Sequence, residues 1–122
     1  MTIKKVAVVD DSQFMRRLIR AALTQVNPTL EVTEFADSEA ALAGLPALAP
    51  DLITLDMLMP KVNGLQFLDR LREMPVQPPV IVITADIQKS VREKCAEHRV
   101  HGFIEKPITY EKLQATFARL AA

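Results

Sequence analysis

Three aspartates, a threonine and a lysine carry the chemical content of this 122-residue chain: Asp10 and Asp11, Asp56, Thr84 and Lys106. Each stands at the end of a short apolar run. Val6-Ala7-Val8-Val9 precedes the acid pair, Leu52-Ile53-Thr54-Leu55 precedes Asp56, Val80-Ile81-Val82-Ile83 precedes Thr84, and Gly102-Phe103-Ile104 leads into Glu105-Lys106-Pro107. Runs of this kind read as strands, and in open α/β sheets the functional crevice lies beyond the carboxyl ends of the strands. If the first and third strands are neighbours, about 4.8 Å apart, three carboxylates meet at one rim. Such a cluster repels itself unless a cation or a proton intervenes. Hard oxygen donors in an open site suit Mg²⁺, which keeps waters and readily takes a phosphate oxygen. If the fifth strand lies two positions from the third, roughly 10 Å away, Lys106 can reach back across much of that gap and balance the acids. Taken singly, each of these residues reads as an ordinary turn or strand residue; their joint placement at strand ends singles them out.

The elements that must position them follow from periodicity. The spacing predicts strands over Lys5–Asp10, Glu31–Phe35, Leu52–Asp56, Val80–Thr84 and Gly102–Glu105, the first, third and fourth continuously apolar as central strands are. Helices are predicted over Gln13–Gln25, Ser38–Leu45, Gly64–Glu73 and Gln88–His98, with a last one capped by Thr109. Ser12 and Asn63 read as further N-caps. Phe14, Leu18, Ala21, Ala22 and Gln25 in the first helix read as a core-facing stripe. So do Leu65, Leu68 and Leu71, then Ile87, Val91 and Cys95, and finally Leu113, Phe117 and Leu120. Pro28, Pro50, Pro60, Pro75, Pro78, Pro79 and Pro107 fall between elements, where a missing amide costs least. The pattern is (βα)5, an open doubly wound sheet with helices on both faces.

Composition limits the alternatives. The hydrophobic fraction of 49% and charged fraction of 25% are those of a globular domain. Fifteen basic against fifteen acidic residues leave no net charge, which argues against a nucleic-acid partner. Cys95 is the one cysteine, so an internal disulfide or a multi-cysteine metal site is excluded, and it reads as a small core residue. No apolar run approaches the roughly 20 residues of a membrane span, and the N-terminus lacks a signal-peptide pattern. A cytoplasmic monomer without membrane contact is expected.

The sequence resembles a response-regulator receiver domain, most closely the single-domain chemotaxis type. The resemblance covers essentially the whole chain. It rests on Val8-Val9-Asp10-Asp11-Ser12, on Leu55-Asp56-Met57-Leu58-Met59-Pro60 followed by Gly64, on Ile83-Thr84-Ala85, and on Gly102-Phe103-Ile104-Glu105-Lys106-Pro107. It implies a flavodoxin-like five-stranded parallel sheet of order 2-1-3-4-5, residues 1–122 forming one receiver domain with no output domain. It also implies Asp56 as phosphoryl acceptor, Asp11 and Asp56 as Mg²⁺ ligands with Asp10 in support, and the Leu58 carbonyl as a further metal ligand. Thr84 and Lys106 would contact the phosphoryl oxygens, Phe103 would be the aromatic switch, and Lys106–Pro107 a cis peptide. The expected phosphodonor is a histidine kinase, and the expected output is a contact with a target protein through the surface of the fourth helix, fifth strand and fifth helix, as in chemotaxis. A phosphorelay shuttle or phosphate sink are the alternatives within the same family.

Departures from the family pattern carry expectations of their own. Leu58 offers no polar side chain beside the metal. Arg99-Val100 stands where chemotaxis relatives commonly have Gly-Ala, so the end of the fourth helix is expected to be built differently. Met57 and Met59 read as core fillers. The rival from another class is an aspartyl-nucleophile phosphatase of the haloacid-dehalogenase type. Its Asp-x-Asp motif is missing, since Asp10-Asp11 is followed by Ser12-Gln13. With Gly44, Gly64 and Gly102 the only glycines, no Gly-rich turn for a nucleotide follows the first strand. The receiver reading implies no enzyme beyond catalysis of its own phosphorylation and dephosphorylation.

Overall fold

The computed structural model describes residues 2–75 and 77–121; Met1 and Ala122, the ends of the predicted domain, lie outside them. Strands and helices alternate as β1 Lys5–Val9, α1 Gln13–Val26, β2 Glu31–Phe35, α2 Ser38–Leu48, β3 Leu52–Leu55, α3 Gly64–Arg72, β4 Val80–Thr84, α4 Lys89–Glu97, β5 Gly102–Glu105 and α5 Tyr110–Ala121. The sheet is parallel throughout with order β2-β1-β3-β4-β5, the predicted flavodoxin-like topology. Its central strands β1, β3 and β4 are buried on both faces, which is why they read as unbroken apolar runs. Alternate residues of these strands enter two separate cores. Ala7, Val9, Ile53, Leu55 and Val82 pack with α2, α3 and Cys95 of α4, while Val6, Val8, Leu52, Ile81 and Ile83 pack with α1 and α5. Met57 and Met59 are buried in the first of these cores, as predicted.

β1 and β3 end one residue earlier than predicted, so Asp10 and Asp56 lie just past the ladder instead of within it. Three further expectations are corrected. On α1 the core stripe is Ile19, Ala22 and Leu23, with Met15 and Val26 half-buried; Phe14, Leu18, Ala21 and Gln25 face outward. Two apolar stripes run along this helix, and the sheet covers only the one that meets β1 and α5. Ile87 precedes α4 and is exposed, so the stripe of that helix is carried by Val91 and Cys95 alone. α2 continues through Pro46 to Leu48. A proline inside a helix costs about 3 kcal/mol, but Leu45 and Leu48 on either side of it both pack on the core, and the Ala49 N–H closes the helix on Leu45 O at 2.8 Å.

The helix starts capped by Ser12, Asn63 and Thr109 are where the sequence placed them, while α4 begins one residue later than predicted, at Lys89. Ser12 Oγ accepts from Met15 N, Asn63 and Gln66 form a reciprocal capping box, and Thr109 Oγ1 accepts from Lys112 N. The end of α4 is built as a glycine-type cap without glycine. Arg99 takes the left-handed conformation (φ 58°), its N–H bonds Ala96 O at 3.0 Å and the Val100 N–H bonds Cys95 O at 3.3 Å. Val100 and Cys95 share the same core, so packing holds a backbone conformation that glycine would adopt more cheaply.

Candidate functional site

The register that pairs Val9 with Leu55 sends Asp10 and Asp56 out of adjacent strands side by side. One carboxylate oxygen from each of Asp10, Asp11 and Asp56 lies within 4.8 Å of the others; Asp10 and Asp56 are buried and Asp11 is exposed. Lys106 crosses from the end of β5, its Nζ donating to Asp10 Oδ2 at 2.9 Å and to Asp56 Oδ2 at 3.1 Å. Thr84 Oγ1, at the end of β4, donates to the other oxygen of Asp56 at 2.9 Å and accepts from Asp86 N. Asp10, Asp11, Asp56, Thr84 and Lys106 thus converge as the sequence predicted, and the Lys106–Pro107 peptide is cis.

Backbone amides hold two of these acids in place. The Ser12 N–H donates to Asp10 Oδ1 and the Leu58 N–H to Asp56 Oδ1, each bridging two residues in the turn that follows its strand. The Leu58 amide adds a contact beyond the predicted site residues, and an Asp at a strand end followed by a loop is its signature. Leu58 itself is 54% exposed. Gly64 is required by proximity: a Cβ there would lie 2.6 Å from Met57 Cα and 2.8 Å from Asp56 O. Phe103 stands apart, half-buried against the core on β5, with the Arg92 guanidinium 4.8 Å from its ring centroid.

Electrostatics decide what the cluster can accept. Burial pushes the Asp10 carboxyl above the usual carboxylate range; the Ser12 amide and Lys106 pull it down, and the Asp56 charge adds to the rise. Burial also works against the Lys106 ammonium, but its hydrogen bond to Asp10 and the charges of Asp56 and Asp10 outweigh that and hold its pKa above the ordinary lysine value. Three carboxylates against one ammonium leave two negative charges uncompensated, which is the charge of one divalent ion. With oxygen donors only and the Asp11 side open to solvent, the site fits Mg²⁺.

Comparison with known proteins agrees with this geometry. The model of the response regulator receiver domain matches residues 6–118. The chain belongs to the receiver-domain family. Receiver domains are signalling switches that take phosphate from histidine kinases and act on downstream targets. The chain is 34% identical over 117 residues to the cyclic di-GMP phosphodiesterase response regulator RpfG of Xanthomonas campestris, covering 94% of this chain and 31% of that protein. It is also 34% identical over 116 residues to Protein CcdB of Bacillus subtilis, covering 95% and 96%. Among solved structures it resembles the chemotaxis protein CheY4 of Vibrio cholerae, with a TM-score of 0.83, 27% identity, and coverage of 97% and 98%. The chain spans about a third of the length of the first curated relatives it matches. None of the helices among the described residues is long and apolar enough to cross a membrane.

Proposed function

We propose that this receiver domain accepts a phosphoryl group on Asp56 from a histidine kinase and relays the change to a target protein through the surface of α4, β5 and α5. The supporting observation is that both oxygens of one buried carboxylate are held by side chains from two other strand ends, Thr84 and Lys106. In the transfer, an Asp56 oxygen forms its bond to phosphorus as the P–N bond of the donor phosphohistidine breaks, and the imidazole leaves with the electron pair. Such a step is catalysed by positioning and by charge stabilisation. Lys106 remains charged beside the reacting carboxylate, 3.1 Å from Asp56 Oδ2, and offers its ammonium to an equatorial oxygen. Mg²⁺ bound by Asp11, Asp56 and the Leu58 carbonyl, with Asp10 in support, would neutralise further charge on the transferred group.

Thr84 now donates to Asp56 itself; a phosphoryl oxygen in that place draws the hydroxyl inward, and the space it leaves lets Phe103 turn in from β5. Driving a mostly inactive ensemble to a mostly active one takes roughly 3–5 kcal/mol, and two charge-assisted hydrogen bonds, about 1.5–3 kcal/mol each, are of that size. The exposed apolar side chains Phe14, Leu58 and Ile87 each stand within three residues of Asp11, Asp56 or Thr84 and suit the docking of a donor protein at this rim. The likeness to the Vibrio cholerae chemotaxis protein supports a chemotaxis setting, and in this role the domain acts in the cytoplasm as a monomer.

Intact-mass measurement after treatment with a small-molecule phosphodonor tests the acceptor: one phosphoryl group is expected on the wild type and none on Asp56→Asn. Equal yield on the variant would remove Asp56 from the role. NMR of phosphorylated Thr84→Ala tests the relay, since an undiminished shift at Phe103 and α4 would rule out the Thr84 route.

A further inference from the structure

The ladder between β1 and β2 ends at the pair Val9–Phe35, leaving the carbonyl of Asp10 beyond the last strand partner. Arg16, in the first turns of α1, occupies that place: its Nη1 donates to Asp10 O at 2.8 Å. The same guanidinium donates through Nε to Glu34 Oε1 at 3.1 Å, and Glu34 takes Arg20 Nε on its other oxygen at 2.7 Å. Arg20 is itself tied to Val32 O at 3.1 Å, so the chain of contacts is anchored on β2. Arg16 and Glu34 are largely buried, with 14% and 24% of their side chains exposed. Burial works against the Glu34 charge, but the Arg20 and Arg16 guanidinium groups together hold its carboxyl below the usual range.

We infer that Arg16, braced by Glu34, is a positioning residue that fixes the Asp10–Asp11 peptide and so sets the aim of both carboxylates at the metal edge. The bond to Asp10 O pins the peptide plane that joins the two acids, and through it one backbone torsion of each. A guanidinium can do this because its planar fork serves the carbonyl and the carboxylate at once; an ammonium is a point donor. The inference rests on the acidic cluster being a Mg²⁺ site.

Charge and position predict opposite signs. Removing a cation near a Mg²⁺ site by charge alone would tighten binding, whereas loosening the acid pair weakens it. Mg²⁺ titration of the metal-free protein, followed by NMR, therefore decides. Arg16→Met is expected to bind Mg²⁺ roughly tenfold more weakly, the scale seen when outer supports of metal ligands are removed. Arg16→Lys, which keeps the charge and loses the fork, is expected to weaken binding similarly. Affinity in Arg16→Met equal to or tighter than wild type overturns the inference. Should Arg16→Met fail to fold, as read by urea unfolding, Arg16→Lys decides, and wild-type affinity there overturns it. If the wild type itself shows no Mg²⁺ binding, the metal reading fails separately. The positioning claim is then judged in the metal-free protein by the Asp11 and Ser12 amide shifts, which must move in Arg16→Lys; unmoved shifts overturn it.

Discussion

Asp10 and Asp51 are the same residue type at opposite ends of one sheet, and their surroundings drive them in opposite directions. Asp51, one residue before β3, accepts the Lys4 and Lys5 backbone N–H groups at 2.8 and 2.9 Å, and those two bonds hold its carboxyl below the usual range. Asp10, just past β1, is pushed up by burial with Asp56 alongside. The first carboxylate completes the backbone bonding of a strand that would otherwise begin with free amides. The second is held, together with two other acids, in a buried place where one ammonium, that of Lys106, is shared between Asp10 and Asp56 and leaves charge uncompensated. A structural acid is thus fully compensated by the fold itself, whereas the functional cluster keeps more negative charge than its one lysine balances.

Mg²⁺ gives the largest test of that contrast. At a concentration one hundred times its dissociation constant it should raise wild-type stability by about 2.7 kcal/mol, measured by urea unfolding. The gain should vanish in Asp11→Ala and persist in Asp51→Asn; an equal loss in both would erase the distinction between the two edges.

Next in size is Asp10→Asn in the metal-free protein, expected to stabilise by about 1 kcal/mol at neutral pH. Because the folded pKa is raised, the contribution of the native carboxyl is fully present below the unfolded value near 4 and is lost as pH rises through the folded value. The advantage of asparagine should therefore grow over that window and level off above it. A destabilised variant at pH 7 would mean that the Lys106 bond outweighs the cost of burial.

Strain at the N-terminal edge is in the backbone. Arg99→Gly, which relieves the left-handed φ of 58° at the end of α4, should stabilise by about 0.5–1 kcal/mol without altering Mg²⁺ affinity. Thermal unfolding of the variant checks this, and no gain would show that the Arg99 side chain contributes as much as the strain costs.

The smallest effect belongs to Asp51→Asn, a loss of only a few tenths of a kcal/mol once solvent screening is allowed for. Its pH trend runs opposite to that of Asp10. With the folded pKa lowered, the contribution is present above the unfolded value near 4 and disappears as pH falls through the folded value. Urea midpoints of variant and wild type should converge in acid; a gap that widens there would break the pairing of the two aspartates as opposites.

Much of this molecule is written locally. The unbroken apolar runs of β1, β3 and β4, the caps Ser12, Asn63 and Thr109, and the acids, threonine and lysine at strand ends depend on near neighbours in the chain, so the sequence alone determined them. The order of the sheet came through the family motifs, since nothing in a βα unit states which strand lies beside which. Tertiary structure decided which stripe of α1 is buried: Phe14 and Leu18 repeat with a helical period as Met15, Ile19 and Leu23 do, and only the position of the sheet distinguishes them. It carried α2 past Pro46, because Leu48 packs on a core assembled from distant strands. It also joined Arg16 to Glu34 on β2, a contact between residues 18 positions apart that no local pattern records, and so braced the direct bond from Arg16 to Asp10 O. Local propensity fixes which elements form, and packing of many weak long-range contacts fixes which of their faces and side chains meet.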